Sequence, residues 1–464
     1  MTNNSDFYSG FADVAAGDAA GSQLRGWAAL ATASLATAGI FALLLALSRI
    51  PGVEGVFPWP LDFFHKGLVI HVVFSFVVWF LSVFGGLLHL AALKISGGAP
   101  RSDNLGKAAV AGTALSCVLL FVPAFLDRGE ASLNNYVPVI INPLYYAGVA
   151  ALAISIGLAA LRLLVNLAGR AGPLEPVCFG IVCAAVIYLA ALACGAFALG
   201  SLWGTEASHA FNEDLFWGGG HLLQFVNVSL LLTAWYMLGR LSIGNVIGDG
   251  AYRASLMLLA PAAPAAIMLY FIFEAFSAEQ TIAFTNLQYA LAPPTLLAAV
   301  AGLFGTLGIR RKGRAFPWKE PAFLALVLSP LVFGAGGMLG LFVDGADTRT
   351  PAHYHGVIAG INLAFMGLFY ALFLPLLGRT VKRGKALSAQ FYLFGGGQFF
   401  ACIGLFLAGG YGAPRKTAGA AQGLEAFWAV VGMYMNGVGA LVAVIGGVMF
   451  IWTVAAALLR KPAP

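Results

Sequence analysis

The sequence has very few charged residues: Asp, Glu, Lys and Arg make up 9% of its 464 residues, whereas apolar residues make up 60%. A soluble domain of this length does not have such a composition, so the chain is predicted to be a polytopic protein of the lipid bilayer. Its net charge of +6 is small, and its basic residues lie between apolar runs. That distribution argues against nucleic-acid binding and instead reports membrane orientation.

Cysteine motifs are also absent. The five cysteines form no CxxC pair and no CxxCH sequence, and all of them fall inside apolar runs. A disulfide framework, a thiolate metal site and a covalently attached haem are therefore not expected. The polar N-terminus lacks a basic segment followed by an apolar core, so no cleaved signal is expected either.

Apolar runs dominate what is present, and they are long enough to cross about 30 Å of hydrocarbon. They predict an all-α membrane protein with a cytoplasmic tail at residues 1–24 and a single twelve-helix transmembrane domain at residues 25–460. The predicted spans are 25–49, 60–94, 104–126, 140–168, 174–202, 211–239, 250–278, 280–309, 317–343, 351–378, 386–410 and 423–459.

Lys and Arg are concentrated in alternate loops and at the C-terminus, which is the pattern of cytoplasmic segments. Both termini are therefore predicted to be cytoplasmic, with the chain in a bacterial inner membrane. The basic pair Arg415 and Lys416 is the exception, because it falls in the last outside loop.

Three predicted spans each carry a histidine at a similar depth. His71 precedes Lys94 by 23 residues, His221 precedes Arg240 by 19, and His355 precedes Arg379 by 24. At about 1.5 Å per residue these positions lie at one level in the outer part of the membrane. A lone intramembrane histidine is usually a packing residue, but shared depth is what a cofactor between helices requires of its ligands.

The segment "PAHYHGVIAG" adds a second histidine two residues before His355. Residues i and i+2 of a helix point about 200° apart, so His353 and His355 do not share one metal but suit two planar cofactors on opposite sides of the helix. Two haems fit that arrangement, with His71 as a second axial ligand of one and His221 facing the other. Interfacial histidines that bond to loop carbonyls are the alternative.

These residues resemble the catalytic subunit of the haem-copper oxidase superfamily, which includes cytochrome c oxidases and nitric oxide reductases. The resemblance covers essentially the whole chain and implies the subunit I type of twelve-helix bundle. It rests on "PAHYHGVIAG" in the tenth span, "FFHKGLVIHVVFSFVVWF" in the second, "LFWGGGHLLQFVN" in the sixth and "YGAPRKTAG" in the last outside loop.

The resemblance implies a role for each matched residue. His353 would be the proximal ligand of a high-spin haem, whereas His71 and His355 would hold a low-spin haem. His221 would be the first ligand of a second active-site metal. Arg415 and Lys416 would bind haem propionates, for which cationic side chains are suited.

The sequence also departs from the family. It contains no His-His pair, which in oxygen- and nitric oxide-reducing members completes a three-histidine metal site. That position falls near Glu274 in "FIFEAF" or at Asn286 in "FTNLQY". Phe225 stands where oxidases carry a tyrosine, four residues after the histidine of the sixth span. Copper is therefore not expected, and a weak iron site from His221 and Glu274 is less expected than none.

Three functions follow as hypotheses. The resemblance implies a dihaem respiratory oxidoreductase with b-type haems, which passes electrons from the low-spin to the high-spin haem and reduces or binds O2 or NO. Its electron donor would be cytochrome c, a cupredoxin-like second subunit or quinol. The first alternative is a non-catalytic electron-transfer or gas-sensing subunit that has lost the second metal. The second is a secondary transporter, which the missing internal repeat disfavours.

Overall fold

The structure is a computed structural model that describes residues 2–56, 61–126, 128–168, 170, 172–343, 345, 347–379 and 381–460. Met1 and Pro60, where the predicted tail and the second predicted span begin, lie outside this part of the chain. Within it, twelve helices are long and apolar enough to cross a membrane. This confirms the prediction of an all-α protein with twelve membrane-spanning helices.

Helical segments account for nearly all of the regular structure. Two short strands, β1 (Ala131–Ser132) and β2 (Val139–Ile140), pair antiparallel with Ala131 opposite Ile140. The α-helices are α1 (Thr2–Ala15), α2 (Asp18–Ser48), α3 (Leu61–Val72), α4 (Trp79–Ile95), α5 (Asp103–Phe121), α6 (Pro143–Leu167), α7 (Pro176–Ser201), α8 (His209–Ser242), α9 (Asp249–Leu259), α10 (Ala262–Ile272), α11 (Ala278–Leu287), α12 (Ala292–Arg311), α13 (Pro321–Gly340), α14 (Arg349–Leu368), α15 (Leu374–Leu376), α16 (Lys385–Gly410) and α17 (Phe427–Leu459).

Shorter helical turns join some of these helices into longer spans. A π-helical stretch at Val73–Val78 makes α3 and α4 one span, and another at Phe369–Phe373 joins α14 to α15. The 3-10 turns are Val53–Gly55, Val122–Phe125, Gln288–Leu291 and Gly419–Gln422.

Local chemistry explains where several helices begin. Asn142 caps α6 by accepting a hydrogen bond from the backbone N–H of Leu144, and proline occupies the first helical position. Ser208 and Ser277 cap α8 and α11 in the same way. The seventh predicted span is divided into α9 and α10 at Pro261, because proline cannot continue the hydrogen-bond ladder.

The N-terminal region differs from the sequence prediction. Residues 2–15 of the predicted tail form α1, and α2 begins at Asp18 and not near residue 25. Phe11 of α1 is fully buried, and the Lys94 ammonium lies 4.8 Å from its ring centroid. The segment is too short and polar to be detected by hydropathy, so tertiary packing determines this helix. The division into a tail and one domain stays a prediction.

The described residues group into two compact units. The first contains the residues up to Ala31 together with Val77–Phe316, and it carries His221. The second contains Thr32–Phe76 together with the chain from Pro317 onward, and it carries His71, His353 and His355.

The histidine-bearing spans are the most buried of the twelve. An apolar 18-residue window is 78% buried in Phe64–Ser96, 89% buried in His209–Ser242 and 83% buried in Arg349–Leu376, against 11% in the span of α11 and α12. Residues facing lipid cannot enclose a cofactor, so burial places the candidate ligands on inner helices.

Candidate functional site

His353 is fixed against the neighbouring helix α13. Its Nδ1–H donates to the backbone carbonyl of Gly336 at 2.8 Å. A Cβ atom added at Gly340 would lie 2.5 Å from Nδ1, so the imidazole occupies space that only glycine leaves free. With Nδ1 used as a donor, Nε2 remains as the ligating atom, which is the usual arrangement of a metal-bound histidine.

Close packing of glycines brings α13 and α14 together. A Cβ at Gly336 would lie 2.5 Å from the backbone nitrogen of Val357 and 2.8 Å from Cα of Gly356. Further along the interface, the hydroxyl of Ser329 donates to the carbonyl of Gly360 at 2.6 Å. Small residues allow such close approach between membrane helices, and here they set the position of His353.

His71 is oriented in the same way as His353. Its Nδ1–H donates to the backbone carbonyl of Ala38 on α2 at 3.0 Å, which again leaves Nε2 available. The π-helical stretch follows directly at Val73, and the carbonyl of Phe74 accepts a hydrogen bond from the Ser34 hydroxyl at 2.5 Å. Such π-helical turns are frequent at functional sites, where they change the direction of side chains.

His355 lies near His71. The two rings are close enough to interact electrostatically, and the Gln398 side chain is within hydrogen-bonding reach of His355. The Tyr354 ring stacks on His355 with 5.2 Å between the centroids. His71 and His355 are therefore neighbours in the structure, and their role as axial ligands of one haem stays a prediction.

These side chains meet the chemical requirements of haem. His71, His353 and His355 each keep part of their surface accessible, although the rest of α14 from Ala359 onward is buried. Two neighbouring imidazoles would suit a six-coordinate iron, and a third imidazole, oriented by a backbone carbonyl, would suit a second haem. His71 and His355 would hold one haem and His353 the other.

The loop with Arg415 and Lys416 is anchored at the start of α14. The backbone N–H of Thr348 donates to the carbonyl of Ala413 at 3.0 Å, and the Thr348 hydroxyl donates to the carbonyl of Leu405 at 2.7 Å. Arg415 interacts electrostatically with Tyr354, next to His355. Lys416 adopts a left-handed backbone with φ of 63°. Arg415 thus lies near the histidine segment.

Arg49 is a site residue that the sequence reasoning missed. It follows the last residue of α2 and interacts electrostatically with His71, Tyr354 and His355. Its guanidinium also lies 5.6 Å from the centroid of the Phe64 ring. Arg49 stands at the end of the first span that is predicted to face outward, so it departs from the predicted cytoplasmic bias of basic residues. This departure was the sequence feature that could have identified Arg49 as a candidate, and the same feature distinguishes Arg415.

His221 has both ring nitrogens engaged. Nδ1–H donates to the Trp217 carbonyl at 2.6 Å, and Nε2 accepts from the Tyr136 hydroxyl at 2.9 Å. Tyr136 has φ of 43°, a strained value for a residue with a side chain, and its ring centroid lies 4.5 Å from that of His221. Sequence reasoning missed Tyr136, because a loop residue distant in sequence gives no periodic signal.

The residues around His221 do not fit a second metal. The lone pair on Nε2 of His221 accepts the hydrogen bond from Tyr136. His221 is buried, whereas Glu274 and Asn286 are both exposed. Among the described residues, no group of three or more His, Cys, Asp or Glu side chains is arranged to hold a metal ion. Phe225 is fully buried and supplies no polar atom.

Comparison with known proteins gives consistent matches. Residues 24–449 match the family described as "Cytochrome C and Quinol oxidase polypeptide I". A protein of Aquifex aeolicus (strain VF5) described as uncharacterised is 30% identical over 77% of this chain and 86% of its own length. Cytochrome c oxidase subunit 1 of Thermus thermophilus is 28% identical over 54% of this chain and 49% of its own length.

A solved structure has the same fold. The cryo-EM structure of a heme-copper terminal oxidase dimer aligns with a TM-score of 0.80 over 97% of this chain and 85% of that chain. The sequence identity is 16%, so this likeness concerns the arrangement of the helices.

Proposed function

We propose that this chain, which belongs to the cytochrome c and quinol oxidase polypeptide I family, is a dihaem oxidoreductase of a respiratory chain. Family membership supports a respiratory oxidoreductase in a lipid bilayer. The finer proposal is that electrons pass from a low-spin haem held by His71 and His355 to a high-spin haem held by His353, where O2 or NO binds and is reduced. The observation that supports it is that backbone carbonyls hold Nδ1 of both His71 and His353, which leaves Nε2 of each histidine available to bind iron.

Bound haem would supply one-electron redox chemistry and an open iron coordination position. The protein's own groups orient the ligands: the carbonyls of Ala38 and Gly336 hold the Nδ1 atoms of His71 and His353, so that each Nε2 faces away from its supporting helix. Arg49 would place a fixed positive charge beside the low-spin site and favour its reduced state.

Arg49 and Arg415 also support the binding of two haem carboxylates. Both interact electrostatically with Tyr354, which is the residue between His353 and His355. Guanidinium groups suit carboxylates because they donate two parallel hydrogen bonds. With Lys416, they would neutralise the propionates at the outer end of α14.

The electron donor is proposed from the donors of other family members. Its members take electrons from cytochrome c or quinol, and we propose the same donors, or a cupredoxin-like second subunit, for this chain. The location in a bacterial inner membrane is proposed from the family, and the cytoplasmic position of both termini is proposed from the distribution of Lys and Arg.

A second function is favoured by the surroundings of His221. Because Tyr136 uses Nε2, the chain offers no second-metal ligand at this position among the described residues. We therefore keep as an alternative a subunit that transfers electrons or senses a diatomic gas without reducing it.

Turnover distinguishes the two functions. Purified protein would be reduced by ascorbate through a redox mediator, and the consumption of O2 and of NO would be recorded separately. We expect consumption of one gas that depends on the donor and is lost in His353→Ala. Complete haem reduction without consumption of either gas would contradict the reductase and select the alternative.

A further inference from the structure

A cavity of about 370 Å³ lies beside the second and third turns of α8. Its walls include Glu213, Asp214 and the aromatic residues Trp217, Tyr270 and Phe276. Among the described residues, no Lys or Arg lines it. Pockets of this size bind small molecules, and the charge of this one is negative.

One of the two carboxylates that line the cavity accepts hydrogen bonds from the described residues, and the other accepts none. Glu213 accepts hydrogen bonds from the backbone N–H of Asn135 at 2.9 Å and from the Asn135 amide at 2.5 Å. Asp214 is half-buried, accepts no hydrogen bond from the described residues and is repelled by the charge of Glu213. A partly buried anion next to a second anion is costly unless a cation compensates it.

The aromatic walls restrict the kind of cation. Trp217, Tyr270, Phe276 and Phe284 present ring surfaces, whose negative faces attract ammonium groups. A hard divalent cation needs six to eight oxygen ligands, whereas the described lining of this cavity includes two carboxylates, one of which, Glu213, already accepts two hydrogen bonds. Rings combined with one unsatisfied carboxylate therefore favour an organic ammonium ion over a metal ion.

The rim of the cavity is held in a strained conformation. Phe276 has φ of 64°, an unfavourable value for an aromatic residue. Its backbone N–H donates to Oε1 of Gln280 at 2.9 Å, and the buried Gln280 amide donates to the Leu269 carbonyl at 3.2 Å. The surrounding hydrogen bonds thus hold the Phe276 ring against the cavity.

We propose that this cavity binds the ammonium group of a small organic cation. The cation is either a free amine or the headgroup of a zwitterionic phospholipid, since both present the same chemistry. The ammonium group would pair with Asp214 and contact the rings of Trp217 and Tyr270. This site does not depend on the haem chemistry proposed above.

Calorimetry with choline chloride tests the proposal on the full chain in phosphatidylglycerol nanodiscs. We expect saturable binding of choline and none of its uncharged tert-butyl isostere. Asp214→Asn should weaken choline binding at least tenfold, because the substitution removes the charge and keeps the size of the side chain. Glu206→Gln, which alters an exposed carboxylate in the preceding loop, is the matched control and should leave binding unchanged.

Nanodiscs of phosphatidylcholine separate the two sources. If a lipid headgroup occupies the cavity, choline binding disappears in these discs; if a free amine does, binding is the same in both. Each result supports the proposal. Absence of choline binding in phosphatidylglycerol discs, equal binding of the isostere, equal binding by Asp214→Asn, or binding of calcium chloride in place of choline would overturn it.

Discussion

His355→Ala should abolish the six-coordinate low-spin haem signal and leave a carbon monoxide adduct at the second haem. The substitution removes one of two axial imidazoles, whereas His71 stays hydrogen-bonded to Ala38 and His353 stays hydrogen-bonded to Gly336. The spectrum of a low-spin haem requires both axial ligands, so the loss should be complete. Reduced-minus-oxidised and carbon monoxide difference spectra of the purified variant measure the two haems separately.

His209→Ala provides the control for this experiment. His209 is exposed at the start of α8, and its ring hydrogen-bonds the Ser132 hydroxyl at 3.2 Å. Both haem signals should be retained in that variant. Retention of both signals in His355→Ala would refute the assignment of His355 as an axial ligand.

Gly336→Ala should destabilise the protein and reduce the occupancy of the haem held by His353. The new Cβ would lie 2.5 Å from the Val357 nitrogen, and backbone atoms cannot yield as a flexible side chain can. Separation of α13 from α14 would also move the Gly336 carbonyl away from His353. We expect a loss of about 1–3 kcal/mol, the usual cost of overpacking, measured as a lower thermal midpoint in detergent.

Gly337→Ala is the matched control on the adjacent residue. A Cβ at Gly337 meets no atom within 4 Å, so the substitution adds helix propensity without a clash. Its thermal midpoint and haem content should equal or slightly exceed those of the unmodified protein. Equal midpoints for the two alanine variants would show that the contact between α13 and α14 does not position His353.

The spans and the depth of the histidines could be predicted from the sequence because each depends on local patterns. The length of an apolar run predicts a membrane span, and the number of residues between a histidine and the basic end of its span predicts the depth of that histidine in the membrane. His71 and His355 lie near each other in the structure, and their role as axial ligands of one haem stays a prediction. Phe225 and the missing His-His pair predict an altered second-metal position, which also stays a prediction.

Other parts of the site could not be predicted, since they depend on residues distant in sequence. Tyr136 reaches His221 from a loop 85 residues away and in a strained backbone conformation that no composition rule indicates. Arg49 is distant in sequence from Tyr354 and His355, so no local pattern indicates that it interacts with them. Helix α1 is stabilised by burial of Phe11, so a hydropathy profile does not detect it.

Counting haems and metals on the purified full-length chain tests the central claim most directly. The account predicts two haem irons per chain: one six-coordinate and low-spin, the other reactive with carbon monoxide, with no stoichiometric copper or non-haem iron. A chain that binds no haem would contradict the roles of His71, His353 and His355. Stoichiometric copper or a third iron would contradict the conclusion that Tyr136 uses the ligating nitrogen of His221.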